Sequence, residues 1–109
     1  MDKSLFIGLD IGTTSTKAIL YRLGGVHATG PAGIVDTVVR THGRTCSGFG
    51  RVEQDPDEVL ETVVDAVSVL VRRNVAPPKS VAAVSFGGIL HSLIPVDREG
   101  APLSPALLW

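Results

Sequence analysis

The residues best suited to chemistry lie close together near the start of the chain. They are Asp10, Gly12, Thr13, Thr14, Ser15 and Lys17. A glycine lets backbone N–H groups approach an anion, hydroxyls donate to phosphate oxygens, and a lysine adds a compact positive charge. A carboxylate at the end of a strand suits Mg²⁺, which favours one carboxylate and keeps several waters. The stretch predicts a phosphate-binding turn with Asp10 as the metal-binding residue.

The sequence on both sides of this turn predicts a β-hairpin. Residues 4–10 form an apolar run of strand length, and 16–21 form a second strand with Ala18 and Leu20 on one face. This differs from a glycine-rich turn that opens a helix and from a Walker loop. A plain hairpin, with Asp10 capping the turn and the threonines serving as β-formers, is the alternative that residue types alone leave open.

A second candidate residue is His91, which follows a strand predicted over 81–86 and the pair Gly87-Gly88. An imidazole after a buried strand can donate to, or accept from, a hydroxyl or carboxylate of a ligand. The alternative is a histidine that fills a polar niche at a strand end. His27 and His42 lie in loop sequence, and both are predicted to be exposed.

The elements that must position these residues are a third strand and one long helix. β-Branched residues predict a strand over 34–41, followed by a loop over 42–52. The helix is predicted over 56–73, with Asp55 as N-cap and Glu58 completing a capping box. Its predicted apolar stripe is Val59, Leu60, Val63, Val64, Val67, Leu70 and Val71. An extended run over 91–96 and a turn over 97–100 complete the prediction.

Composition narrows the class of protein. The chain has 109 residues and a formal net charge of -1, with 5% aromatic residues, which argues against nucleic acid or an anionic membrane as partner. The apolar run near the start is too short to span a bilayer, so a cytoplasmic protein is expected. The single cysteine, Cys46, is interpreted as a bystander thiol.

Four segments in order resemble the FGGY family of carbohydrate kinases. The hairpin over 8–17 is similar to the first phosphate motif of the wider actin-like ATPase superfamily. Residues 50–56, 84–93 and 96–109 resemble the helix entry, the sugar-binding segment and its continuation in FGGY kinases. The resemblance covers most of the chain. It implies an α/β fold of the actin-like ATPase (ribonuclease H-like) type, with a mixed sheet whose first three strands are antiparallel.

The resemblance also implies a function. The chain is expected to be a partial N-terminal kinase domain over 1–109, with the second domain absent and the sheet incomplete. ATP and Mg²⁺ are the implied cofactors, and phosphate binding falls to the turn residues named above. Leu90 and His91 would form one wall of a site for a small sugar or sugar acid. A homodimer of the full-length protein is compatible with the family.

The identity of the sugar is predicted from the segment around His91. His91-Ser92, Asp97 and Pro102-Leu103 most resemble the gluconate kinase group. Xylulose kinases usually carry Gln-Met-His-Gly there, so xylulose or another pentulose stays an alternative, as does a non-catalytic binding domain or remnant. By resemblance, the general base is an aspartate beyond Trp109, because none of the seven aspartates here matches its motif. The segment alone is therefore expected to be inactive.

Overall fold

The computed structural model describes residues 5–23, 33–46, 50–89 and 91–108. The predicted loop over 24–33, with His27, lies almost wholly outside them. The elements in chain order are β1 (Leu5–Ile11), β2 (Ser15–Arg22), β3 (Ile34–Thr41), β4 (Thr45–Cys46), β5 (Val52–Gln54), α1 (Pro56–Arg73), β6 (Val81–Gly87) and β7 (Ala106–Leu107). No helix among the described residues is both long enough and apolar enough to cross a membrane.

The main sheet has four strands in the order β3-β2-β1-β6. β1 pairs antiparallel with β2, and β2 pairs antiparallel with β3. β6 pairs parallel with β1, which requires a crossover between them, and α1 lies in that crossover. This confirms the predicted α/β fold with a mixed sheet and three antiparallel strands.

A small second sheet corrects the prediction for residues 42–52 and 91–96. The stretch expected to be loop contains β4 and the first residue of β5, and the sheet runs in the order β4-β5-β7. The run expected to be extended forms only isolated bridges, Leu93 with Leu107 and Val96 with Pro102. Strands of two or three residues are too short to leave a periodic pattern in a sequence. Cys46 is exposed and has a free thiol.

The start of α1 follows the predicted cap but not the predicted capping box. Asp55 accepts a hydrogen bond from the Asp57 N–H at 2.9 Å, as an N-cap does. Glu58 accepts from the N–H of Gly43 at 2.7 Å instead of closing a box within the helix. The carboxylate therefore ties the connection after β3 to the first turn of α1.

The core lies between α1 and one face of the sheet. Its buried residues are Leu5, Ile7, Ala18, Leu20, Val38, Ala66, Leu70 and Ala76. The predicted helix stripe was too wide: Leu60 is 61% exposed and Val64 is 56% exposed. Successive residues of an α-helix are about 100° apart, so Leu60 and Val64 face away from the sheet although Val59 and Val63 are half-buried. The buried face centres on Ala66 and Leu70, one turn apart.

The far end of α1 is fixed to β3 by Asp36. Arg73 donates to both carboxylate oxygens of Asp36, at 2.7 and 2.8 Å, and Asn74 donates at 2.7 Å. The Arg73 guanidinium, followed by the Asn74 amide, holds the pKa of Asp36 well below its usual range. The helix then ends at Asn74, as predicted.

β6 is mostly exposed, which corrects the expectation of a buried strand. Six of its seven residues are exposed, and Phe86 is 72% exposed. The physical reason is its place in the sheet: α1 packs over β2 and β3, whereas β6 lies at the opposite edge. The buried residues of the main sheet lie on β1, β2 and β3, away from this edge.

Candidate functional site

The predicted hairpin is present and carries its polar residues at its tip. β1 and β2 pair with Asp10 opposite Lys17 and Ile11 opposite Thr16. The N–H of Gly12 donates to the carbonyl of Ser15 at 2.8 Å, which closes the turn. All six predicted turn residues are therefore brought together on one hairpin, with β2 beginning one residue earlier than expected.

The backbone N–H groups that an anion can reach are those of Thr13 and Thr14, not that of Gly12. The Gly12 N–H is used inside the turn, so it is not a free donor for an anion. A side-chain carbon at Gly12 would lie 3.2 Å from the Ser15 carbonyl oxygen, so the glycine keeps the turn tight. Within the described ranges, no acceptor is bonded to the N–H groups of Thr13 and Thr14. These two amides are the backbone donors that an anion can use.

The turn is backed by two buried polar side chains that the sequence interpretation did not assign to it. Gln54 is 3% exposed, and its amide nitrogen donates to the carbonyl of Thr13 at 2.5 Å. His42 is 7% exposed, which contradicts its predicted exposure, and its backbone N–H donates to the carbonyl of Thr14 at 2.9 Å. Gln54 and the Nδ1 atom of His42 are 3.2 Å apart. The turn's inner side is thus closed by hydrogen bonds.

Asp10 and Lys17 are both exposed beside the turn. No group of three or more potential metal ligands occurs in the part of the chain that the structure describes. A single carboxylate nevertheless fits Mg²⁺ carried by a polyphosphate, because this ion takes one or two protein carboxylates, substrate phosphates and waters. The donor set of two free amides, hydroxyls and one ammonium fits the phosphates themselves.

The sheet brings the second predicted segment to the same edge as the turn. Asp10 pairs with Gly87 in the parallel β1–β6 ladder, so both strands end at one edge. Ligands in open α/β sheets bind at the carboxyl ends of the strands. His91 follows four residues after Gly87, and Leu90 lies outside the described residues. The strand that precedes His91 therefore ends at the same edge as the turn.

His91 has an unusual backbone conformation. Its φ is 61°, in the left-handed region, and its side chain is exposed. Such conformations in non-glycine residues cluster at ligand-binding sites, although histidine tolerates them better than most residues. Leu93, two residues later, exchanges two backbone hydrogen bonds with Leu107 of β7, at 2.9 and 3.0 Å. The segment is thus attached to the second sheet close to His91.

A cavity of about 240 Å³ lies between the hairpin and this segment. Its lining includes Ile11 at the end of β1, Gln54 behind the turn, and Gly88, Ile89 and Ser92 from the second segment. Most of its lining residues are apolar, and Gln54, which also bonds to the turn, is among the polar ones.

Comparison with known proteins identifies the family. The model for the N-terminal domain of the FGGY family of carbohydrate kinases matches residues 5–109. The chain belongs to this family. The FGGY resemblance predicted from the four sequence segments is confirmed.

Individual FGGY relatives differ in the sugar that their names give. A gluconokinase from Bacillus subtilis is 29% identical over 106 residues, which cover 97% of this chain and 19% of that protein. A xylulose kinase from Staphylococcus epidermidis is 33% identical over 110 residues, covering 100% of this chain and 21% of that protein. Both kinds of kinase match at low identity, so the comparisons do not separate the two substrates.

A solved structure supports the same assignment of fold. The gluconate kinase from Lactobacillus acidophilus superposes with a TM-score of 0.77 at 25% identity, covering 94% of this chain and 19% of that one. The chain spans about one fifth of the length of the relatives that it matches. The actin-like ATPase fold expected from the sequence is confirmed by these matches.

Proposed function

We propose that this chain is the amino-terminal part of an ATP-dependent sugar kinase that transfers the γ-phosphate of ATP to a hydroxyl of gluconate. The observation that supports the proposal is the pairing of Asp10 with Gly87, because the strands that lead into the hydroxyl-rich turn and into the His91 segment end at the same edge of the sheet. Phosphoryl transfer depends mainly on positioning and charge stabilisation, and both require the phosphates and the sugar to meet.

Each residue has a role that its position supports. The amides of Thr13 and Thr14, with the hydroxyls of Thr13, Thr14 and Ser15, bind phosphate oxygens. Gly12 keeps the turn tight, and Lys17, opposite Asp10 in the hairpin, adds positive charge. Asp10 holds Mg²⁺, which neutralises charge on the phosphates when it is bound. His91 and Leu90 contact the sugar, and the general base is supplied by an aspartate outside these 109 residues.

Xylulose is the second candidate substrate. It is favoured by the 33% identity to a xylulose kinase, which exceeds the 29% identity to a gluconokinase. Gluconate is preferred here because the His91-Ser92 segment and the following Asp97 resemble the gluconate kinase group. A cytoplasmic, homodimeric enzyme would fit either substrate.

The experiment is a substrate panel with the full-length protein. ADP release is measured with MgATP and gluconate, xylulose, ribulose or glycerol, each over a range of concentrations. The proposal expects the highest kcat/KM with gluconate. A preference for xylulose would keep the kinase and change the substrate. No sugar-dependent ADP release with any of them would contradict the enzyme and favour the non-catalytic alternative.

A further inference from the structure

Gln54 is buried behind the turn and bonds to it, although it has no role in the phosphate binding proposed above. Its side chain is 3% exposed, and its Nε2 donates to the carbonyl oxygen of Thr13. This contact fixes the orientation of the amide, because a carbonyl oxygen can face only the donor end. The same nitrogen lies 3.2 Å from Nδ1 of His42.

The direction of one peptide group follows from this contact. In a planar trans peptide, the carbonyl of Thr13 and the N–H of Thr14 point in opposite directions. The carbonyl points inward to a buried amide, so the Thr14 N–H points to the outer side of the turn. That N–H is one of the two amides with no bonded acceptor in the described part of the chain. Gln54 thereby holds a phosphate donor in its outward orientation.

The second carbonyl of the turn is held in a similar way. The backbone N–H of His42 donates to Thr14 at 2.9 Å, and the His42 ring packs against Gln54. Gln54 itself is fixed in the second sheet, where it pairs with Ala106 of β7. The neighbouring residue of β7, Leu107, bonds to Leu93 near His91. One buried side chain therefore connects the turn to the sheet that holds the His91 segment.

We propose that Gln54 is a positioning residue for nucleotide binding: it holds the Thr13–Thr14 peptide so that the Thr14 N–H faces the phosphates. The inference rests on the proposed function, since it needs the turn to bind ATP. A purely structural role would make Gln54 matter for folding alone. The two roles differ in whether nucleotide affinity falls more than sugar affinity.

The test measures dissociation constants for MgADP and for gluconate by calorimetry, in the full-length protein and in variants. Gln54→Met keeps the size of the side chain and removes its donor. Asn74→Leu is the matched control, since Asn74 also donates two amide hydrogen bonds, to Asp36 and Leu70. Asn74 lies at the end of α1 opposite to Gln54, about 27 Å away along the helix axis. A second variant, Gln54→Leu, also lacks a donor for the Thr13 carbonyl and has a branched side chain in place of the linear one.

Gln54→Met is expected to weaken MgADP binding about tenfold, as for loss of one oriented hydrogen bond, while gluconate binding changes less than about twofold. Asn74→Leu should leave both constants within about twofold of wild type. MgADP affinity retained in both Gln54 variants would overturn the inference and leave the proposed function intact. Equal losses for both ligands, or unfolding of both variants, would show a structural role only and overturn it too. A wild-type protein that binds no MgADP contradicts the proposed function itself.

Discussion

The hairpin of β1 and β2, proposed to bind phosphate, and the His91 segment over 91–105 differ in how they are held. The hairpin rests on the core: Thr16, Ala18 and Leu20 of β2 are all at most 1% exposed. The segment over 91–105 is exposed at every position. Its backbone is held by a few hydrogen bonds, such as those between Leu93 and Leu107 and between Leu103 and Pro95.

This difference indicates how the two halves of the site acquire their geometry. Regions with many buried apolar contacts open rarely, whereas exposed segments with few contacts open at low cost. The proposed phosphate site is therefore rigid, because the inner carbonyls of its turn are already bonded. The His91 segment is the adaptable half, and the sugar contacts proposed for it would gain less from pre-organisation.

The largest expected effect separates the two regions by stability. Leu20→Ala should lower the free energy of opening of the β2 amides by about 2–5 kcal/mol, because it leaves a cavity in the core. Leu103→Ala is the matched control, since Leu103 is 66% exposed, and it should change the same quantity by less than about 0.5 kcal/mol. Native-state hydrogen exchange of the full-length protein measures both. Similar losses in the two variants would remove the distinction between the regions.

The next effect tests the chemistry of the rigid half. Asp10→Asn should lower kcat about a hundredfold, because a neutral amide holds Mg²⁺ poorly and the metal supplies several kcal/mol of charge stabilisation. Asp65→Asn is a suitable control, since Asp65 is an exposed carboxylate of α1 that pairs with Arg40 of β3. The kcat values of the two variants are compared by steady-state kinetics at saturating Mg²⁺. Turnover near wild type for Asp10→Asn would exclude the metal-binding role.

A smaller effect is expected in the adaptable half. His91→Ala removes one hydrogen bond to the sugar, which is worth about 0.5–1.5 kcal/mol, so the sugar KM should rise about two- to tenfold. The KM for ATP should stay near its wild-type value. His91→Asn, which tolerates the left-handed backbone and keeps a polar group, should recover part of the loss. A rise in the ATP KM alone would place His91 on the nucleotide side of the site.

The smallest effect concerns the link between α1 and β3, which supports the rigid half. The pKa of Asp36 is lowered by Arg73 and Asn74, so the charged carboxylate stabilises the folded state. This contribution is fully present above the ordinary aspartate pKa of about 3.9 and is lost as the pH falls below it toward the folded pKa. Asp36→Asn should lower the melting temperature slightly at pH 7, and the difference should shrink below about pH 4. A constant difference across this range would contradict the assignment.

Much of the fold follows from local patterns in the sequence. The hairpin, β3 and α1 each have strong periodicity or a clear cap, and their bounds agree with the prediction within one residue. The short strands β4, β5 and β7 were missed because pairing between distant residues, such as Gln54 with Ala106, creates them. The helix stripe was too wide because the surface that α1 covers depends on the sheet beneath it, which periodicity does not show.

The candidate site was also predicted only in part, because some of its residues are distant from one another in the sequence. The turn residues are neighbours in sequence, so their chemistry is visible there. Gln54 is 41 residues away from its partner Thr13, and His42 is 28 residues away from its partner Thr14. Only the fold reveals these contacts. The one signal in the sequence was that Gln54 lies in the helix-entry segment that resembles the kinase family. His42 carried no such signal, and its burial reversed the expectation of exposure.

The central claim is that the hairpin binds the nucleotide phosphates while the sugar lies beside His91. A crystal structure of the full-length protein with MgADP and gluconate tests it most directly. We expect ADP phosphate oxygens within hydrogen-bond distance of the Thr13 and Thr14 amides, Mg²⁺ beside Asp10, and a gluconate oxygen within hydrogen-bond distance of the His91 ring. Phosphates bound away from residues 10–17, with the turn contacting no ligand, would contradict it.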